Sequence, residues 1–309
     1  MSKKVSVLMS AYNAENFVER TILSVLNQSY RDFDFIIVEN GSTDKTREII
    51  KKFSDPRIIL IELEKNIGLS GAMNLGLQKA NTKWIAHQDA DDLWYPEKLE
   101  HQLAFLDKHP DYCALATWID YVDINDKKIG ESREPFTSWE AVEEKYKKNK
   151  AVVFNHSSMV FDRDIALAVG GYHSQFWPAE DADLWNRMLE SGKKMMILPE
   201  ALTCYRIFDG GNSITKLRQM NKMFRYVKYC MHERRAGNTE PTLAEYESIN
   251  KGFWKNVNEN RKDFSLYHYK KSVAAYSGKR YFSFVWRMLI AFIFNPMRIV
   301  STIINKNIK

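Results

Sequence analysis

Three carboxylates crowd the stretch His87-Gln-Asp-Ala-Asp-Asp-Leu-Trp-Tyr-Pro96, where Asp89, Asp91 and Asp92 follow an apolar run that ends at Ala86. Carboxylates at i and i+2 on the end of a strand point toward a common ligand, and the intervening Ala90 stays aside. Unshielded in a low-dielectric crevice, such a pair repels strongly. A divalent cation removes that penalty. Hard oxygen donors favour Mg2+ or Mn2+, which bind through one or two carboxylates together with substrate phosphates. The competing explanation is that Asp91 or Asp92 caps a helix beginning near Pro96.

The elements that must position these groups follow from apolar runs and their punctuation. Val5 to Met9 is a short strand, and a polar turn (Ser10 to Asn16) precedes Phe17, Ile22, Leu23, Val25 and Leu26 at near-helical spacing through Asn27. Phe33 to Val38 is a second strand. It ends in Glu39-Asn-Gly-Ser-Thr-Asp44, with Ser42 or Thr43 as the cap of a helix through Arg47, Ile50 and Phe53. Ile58 to Leu63 is a third strand, Asn66 to Gly71 leads into a helix through Leu77, and Trp84 to His87 is the fourth strand. Alternating strands and helices imply right-handed crossovers and a mostly parallel sheet, which binds ligands at the carboxyl ends of its strands. Tyr12, Asn13, Glu39, Asn40, Asn66, Gly68 and the aspartates are therefore expected around one crevice. Further on, 98–106 reads as a helix, 112–122 and 152–161 as strands, and 140–150 as a charged solvated helix. Gly170-Gly171 breaks the chain before a helix entered through Trp177 to Trp185. No repeat or low-complexity linker interrupts 1–214, which is expected to be one domain.

Five segments in this order, Ser10-Ala-Tyr-Asn13, Val38-Glu-Asn-Gly-Ser-Thr-Asp44, Asn66-Ile-Gly-Leu-Ser-Gly-Ala-Met-Asn74, Asp89-Ala-Asp-Asp92 and Glu180-Asp181, resemble the family 2 inverting glycosyltransferases with a GT-A fold, over about residues 4 to 210. The resemblance implies an α/β, Rossmann-like sheet flanked by helices, with a nucleotide-binding half over about 1–95 and an acceptor-binding half over about 96–214. It also implies a nucleotide-diphosphate sugar donor such as a UDP-sugar, Mn2+ or Mg2+, inversion at the anomeric carbon, and a glycan or lipid-linked acceptor of surface-polysaccharide type. Carried over by residue, Ala11, Tyr12 and Glu39 line the nucleoside pocket, with Glu39 at the base edge. Asn13, Asn66, Gly68, Asn74 and Ala90 belong with them around the donor. Asp91 is the direct metal ligand, and Asp89 assists it or bonds the ribose or donor sugar. Asp181 is the catalytic base, with Glu180 beside it. His156 matches a recurrent histidine whose role stays open. Two positions depart from the family pattern. Glu39-Asn40 stands for the commoner Asp-Asp, and Met73 stands where many members carry Arg, leaving Arg206 as the candidate substitute for a phosphate contact.

Such a displacement needs charge stabilisation on the leaving diphosphate and a deprotonated acceptor hydroxyl on the opposite face. Partial burial of Asp181 beneath Trp177 and Trp185 would raise its pKa toward the working pH. Either indole is also a candidate to stack on the acceptor sugar.

Composition bounds the rest. At 309 residues and 45 % apolar content the chain can bury a full core. The net charge of +6 divides into −7 over residues 1–214 and +13 over 215–309. Residues 217–235 have the pattern of an amphipathic helix. The end of the chain joins aromatics and aliphatics to flanking Arg and Lys. Its longest uncharged run, Met288 to Met297, is too short for the roughly 20 residues that span a bilayer. A basic interfacial helix over 280–304, interrupted at Pro296, is expected, docking on a membrane or on protein. No secretory leader is apparent, so the chain is expected in the cytoplasm, peripheral at the inner face of the membrane. Cys113, Cys204 and Cys230 lack zinc or disulfide spacing. Nucleic acid is disfavoured because the basic tail carries no binding motif, and a dinucleotide oxidoreductase because GxGxxG is absent. The remaining alternatives are an inactive nucleotide-sugar-binding scaffold and a nucleotidyltransferase. The latter would want a Gly-rich phosphate loop that Ser10 to Asn16 does not supply.

Overall fold

Runs of Val, Ile, Phe and Leu bounded by polar turns pair as a parallel core. In a computed structural model, which describes residues 3–250, 253–277 and 281–297, β1 (Val5–Ala11) lies between β2 (Phe33–Glu39) and β4 (Trp84–Asp89), with β3 (Ile58–Glu62) outside β2. The helices that connect these strands are α1 (Val18–Leu26), α2 (Thr46–Lys51) and α3 (Leu69–Lys79). The short β5 (Leu93–Trp94) and α4 (Lys98–Lys108) follow, then β6 (Tyr112–Val122), β7 (Lys128–Ser132), α5 (Trp139–Lys147), β8 (Val160–Asp162), α6 (Arg163–Ala168), α7 (Glu180–Glu190) and β9 (Lys194–Arg206). The sheet order is β3-β2-β1-β4-β8-β6-β9-β5, with β7 paired to β6. Its first four strands are parallel and β8 runs against both neighbours. This is the mixed α/β arrangement, mostly parallel and flanked by helices, that was expected.

Register decides where chemistry collects. Ala11 pairs with Glu39 and Ser10 with Asp89, so three strands end on adjacent rungs. Helix α1 buries Val18, Ile22, Val25 and Leu26 on one stripe. Helix α3 approaches β1 so closely that a Cβ at Gly76 would lie 2.1 Å from Leu8 Cδ1, and Leu8 is itself fully buried. Gly76→Val should therefore overpack this contact and cost about 1–3 kcal/mol of unfolding free energy, measured by denaturant titration.

Three expectations are corrected. The strand over 152–161 shrinks to β8. The Val152 amide donates to the Asn186 side chain at 3.1 Å rather than to a ladder, and 156–158 form a single 3-10 turn. Ser42 and Thr43 do not cap α2. Asp44 accepts the Thr46 amide at 2.9 Å, while the Ser42 hydroxyl accepts the Asn13 amide and the Thr43 amide donates to Asn13 Oδ1. Helix α4 begins after Glu97 with no side-chain cap, so neither Asp91 nor Asp92 is spent on it.

By contact density the chain forms two compact units, one comprising Met1–Val122 with Gly130–Arg206 and the other Asp123–Ile129 with Ile207–Lys309. The second unit contains α8 (Asn212–Thr215), α9 (Leu217–Arg235), α10 (Leu243–Ile249), α11 (Phe253–Ser277) and α12 (Tyr281–Phe294). Within it Arg225 pairs with Asp263 at 3.1 Å, and Thr242 and Glu245 form a capping box before α10. Of the expected interfacial segment, position 280 and positions 298–304 lie outside the described residues. Among those described, no helix is long and apolar enough to cross a membrane. All three cysteines are buried, and none is in a disulfide.

Candidate active site

The loop after β4 is held largely through its carbonyls. The Asp92 amide donates to Asp89 O. Gln88 Nε2 donates to the carbonyls of Asp89 and Asp92 at 2.8 and 2.9 Å, and the Thr21 hydroxyl reaches those of Ala90 and Asp92 at 3.0 and 2.9 Å. Pairing of β5 with β9 then brings Arg206 beneath the turn. Its amide donates to Asp92 Oδ1 at 2.8 Å, its Nε donates to the Asp91 carbonyl at 2.6 Å, and its guanidinium lies over the Phe17 ring.

The three aspartates therefore differ in state. Burial, and then the Asp89 charge, pushes the Asp91 carboxyl up to about 7. Burial, with the charges of Asp91 and Asp89, raises Asp92 well above the carboxylate range. Asp89 moves the other way. Burial would raise it, but the facing His87, with Nε2 at 2.9 Å from Asp89 Oδ1, holds it below its ordinary value. Asp91 is only half-buried, and its charged form is disfavoured until a cation compensates it. Two neighbouring carboxylates, one of them raised by burial and by the charge of the other, offer the hard oxygen donors that Mg2+ or Mn2+ takes.

A column of rings backs Asp89. His87, fully buried in β4, stacks on His156 with centroids 3.4 Å apart, and His156 Nε2 lies 2.7 Å from the Tyr172 hydroxyl. His87 Nδ1 is buried without a hydrogen-bond partner, and Nε2 is the ring nitrogen that faces Asp89. Candidate ligand atoms of His87, Asp89 and His156 lie within 4.8 Å of one another. The Nε2 atoms of both histidines are engaged within the column, which supports Asp89.

Glu180 and Asp181 open α7. Asp181 Oδ1 accepts the Ala182 amide at 2.7 Å. Burial lifts Asp181 to about 6 despite that bond, with the Asp89 charge contributing. Glu180, more deeply buried and beside Asp181, is lifted to about 8. Environment thus separates the pair at neutral pH into an ionised Asp181 and a protonated Glu180. The Asp89 charge acts on both, which sets the two carboxylate groups in one electrostatic field.

The loops after β1, β2 and β3 are laced together. Asn13, at φ 50°, is tied to Ser42 and Thr43. Asn40 donates to Asn66 Oδ1 and Gly68 O and accepts the Ile67 amide, and Asn66 accepts the Gly68 amide at 2.7 Å. Gly68, at φ 81°, supplies a backbone turn that L side chains rarely adopt. Tyr12 is left open, 45 % exposed.

Several assigned roles change. Ala11 is fully buried and its carbonyl accepts the Asn40 amide, so only its backbone shapes the site. Glu39 is also fully buried. Its oxygens accept the Ser42 amide at 2.7 Å and Arg47 Nε at 2.6 Å, so it faces its own loop rather than an open base edge. Asn74 makes paired 2.8 Å bonds with the Tyr172 amide and carbonyl, holding that turn rather than a donor. Met73 is fully buried in the core. Arg206 is buried against the aspartate loop and not presented to phosphate. Trp185 is fully buried between His156 and Phe161 and cannot stack on a sugar, whereas Trp177 is half-buried ahead of α7. His87, Thr21, Gln88 and Tyr172 were not anticipated. A histidine and a glutamine inside an otherwise apolar strand were the available signal.

Comparison with known proteins places this geometry. The family model "Glycosyl transferase family 2" matches residues 6–170. An uncharacterized glycosyltransferase of Methanocaldococcus jannaschii, MJ1057, is 31% identical over 232 residues, covering 74% of this chain and 79% of that protein. The UDP-Glc:alpha-D-GlcNAc-diphosphoundecaprenol beta-1,3-glucosyltransferase WfaP of Escherichia coli is 28% identical over 225 residues, 72% of this chain and 85% of its own. Among solved structures, S. aureus TarS in complex with UDP-GlcNAc aligns with TM-score 0.59 at 14% identity, over 92% of this chain and 89% of that one. The mannosyltransferase PcManGT from Pyrobaculum calidifontis, in complex with GDP-Man and Mn2+, aligns with TM-score 0.56 at 16% identity, over 96% and 88%. The structural likenesses show the GT-A fold. With a family match over more than half its length and a relative above 30% identity across most of it, the chain belongs to glycosyl transferase family 2 and is a glycosyltransferase.

Proposed function

We propose that this glycosyltransferase works with inversion and with a divalent metal, moving a sugar from a UDP-sugar to a glycan or lipid-linked saccharide, peripherally at the inner face of a membrane. One observation carries the reading. Two carboxylate pairs share one electrostatic field, with Asp91 raised to about 7 and Asp181 to about 6. In this reading Asp91, assisted by Asp89, would hold Mn2+ or Mg2+, and the ion when bound supplies charge neutralisation for the leaving diphosphate. Tyr12 offers an open aromatic face to the nucleoside, while Asn13, Asn66, Gly68 and Ala90 shape the backbone around the donor. Asp89 receives a donor hydroxyl. The acceptor oxygen attacks the anomeric carbon as the bond to the diphosphate oxygen breaks, and its proton passes to Asp181. Glu180, protonated, adds no second charge beside the base. Trp177 remains the candidate to flank the acceptor.

Names of relatives support the finer parts. TarS was solved with UDP-GlcNAc, WfaP is named for UDP-Glc and a diphosphoundecaprenol-linked acceptor, and PcManGT was solved with GDP-Man and Mn2+. Screening UDP- and GDP-sugars for Mn2+-dependent hydrolysis tests the reading. A UDP-sugar is expected to be turned over, and turnover undiminished by chelator would refute the metal assignment.

The ring column makes a further prediction. His87→Leu removes the donor to Asp89 and should cost about 10- to 100-fold in apparent Mn2+ affinity or kcat/KM, as loss of support behind a metal ligand does. His87→Gln, which can still donate, should recover most of it. Equal activity in both variants would leave the column a packing feature only.

A further inference from the structure

Helix α12 leaves an apolar face uncovered. Phe282, Val285, Trp286, Leu289, Phe292 and Ile293 are between 45 % and 87 % exposed, at spacings of three and four that place them on one side. Its opposite side packs on α11. Ala291 is fully buried, its carbonyl accepts the Ser265 hydroxyl at 2.7 Å, and Phe294 meets Phe264 edge to face. The exposed face carries no charged residue, and Arg287, half-buried, donates to Ser283 Oγ from beside it.

The charge of the surrounding chain selects the occupant. Residues 264–309 contain eight Lys and Arg and no Asp or Glu. A second copy pairing through this face would bring two such segments together with no acidic partner, since a two-fold contact opposes each patch to itself. An acidic protein could neutralise the charge but would need a matching apolar groove. An anionic lipid surface supplies both a hydrocarbon boundary for the rings and negative headgroups for the cations. At 14 residues the helix is about 21 Å long, short of what crossing a bilayer requires.

We propose that α12 lies flat in the headgroup region of an anionic bilayer, inserting Phe282, Trp286, Leu289 and Ile293, with the basic charge of this part of the sequence drawing it to anionic headgroups. This deepens the peripheral placement proposed above and is independent of the transfer chemistry. The full chain should co-sediment with vesicles of phosphatidylglycerol and phosphatidylcholine at least tenfold more tightly than with phosphatidylcholine alone. Tryptophan emission should shift to the blue, and that shift should be lost in Trp286→Phe. The triple variant Phe282→Ser, Trp286→Ser, Ile293→Ser should lose at least tenfold in vesicle affinity while hydrolysing donor in solution like the parent, which separates failure of docking from failure of catalysis. Equal binding to neutral vesicles would overturn the proposal, as would undiminished binding by the triple variant. A dimer that dissolves in that variant while vesicles are ignored would assign the face to a second copy instead.

Discussion

Asp181→Asn should abolish most transfer, lowering kcat by about 10²- to 10⁴-fold, the usual worth of a positioned general base. Asn keeps the side-chain oxygen that accepts the Ala182 amide, so the start of α7 is retained and the loss is chemical. The pH dependence separates this from misfolding. Because burial raises Asp181 to about 6, the base is protonated below that pH. Parent kcat/KM should therefore fall on the acid side with an apparent pKa near 6 and level off above it. In Asp181→Asn the residual rate should lose that limb. A variant with full activity and an unchanged profile would remove Asp181 from the mechanism.

Asp91→Asn carries the second large effect, with opposite signs for activity and stability. Loss of the proposed metal ligand should lower kcat/KM by something on the order of 10²-fold or more, since Lewis-acid stabilisation amounts to several kcal/mol and each 1.36 kcal/mol is tenfold. The metal-free fold should gain. In the native state Asp91 titrates at about 7 instead of its ordinary 3.8, so between those values the folded protein binds more protons than the unfolded chain. Stability contributed by the protonated form is present at low pH and is lost as pH rises through that window. At about pH 8, above both values, the metal-free Asp91→Asn protein should melt higher than the metal-free parent. Mn2+ should raise the melting temperature of the parent and leave the variant unmoved. A variant that melts lower without metal would mean that Asp91 is structurally required.

The parts legible in the sequence are those set by local pattern. β1 to β4 are apolar runs bounded by polar turns, and a parallel sheet puts their carboxyl-end residues together wherever the chain goes next. The placement of Asp89 and Asp91 at that crevice follows from that rule, whereas the roles given to them came from the family resemblance. What stayed hidden depends on partners far along the chain. The 152–161 segment has strand composition, but Asn186 claims the Val152 backbone from 34 residues away. Asn74 and Tyr172, 98 residues apart, meet only because α3 and the Gly170-Gly171 turn are brought together by the sheet. Glu39 reads as a ligand residue until Arg47 and the Ser42 amide are seen to occupy it. Trp185 carries no sign in the sequence of facing inward rather than toward a sugar. A buried histidine in β4 breaks the apolar pattern, and such breaks are where a sequence most often shows function or strain.

The proposed chemistry requires that Asp91, assisted by Asp89, hold a divalent cation that neutralises the donor's diphosphate. Calorimetric titration of UDP into the full chain, with Mn2+ and with chelator, tests it most directly. UDP binding is expected to require the ion and to disappear in Asp91→Asn. Equal affinity for UDP in chelator, or ion-dependent binding that survives in Asp91→Asn, would contradict it.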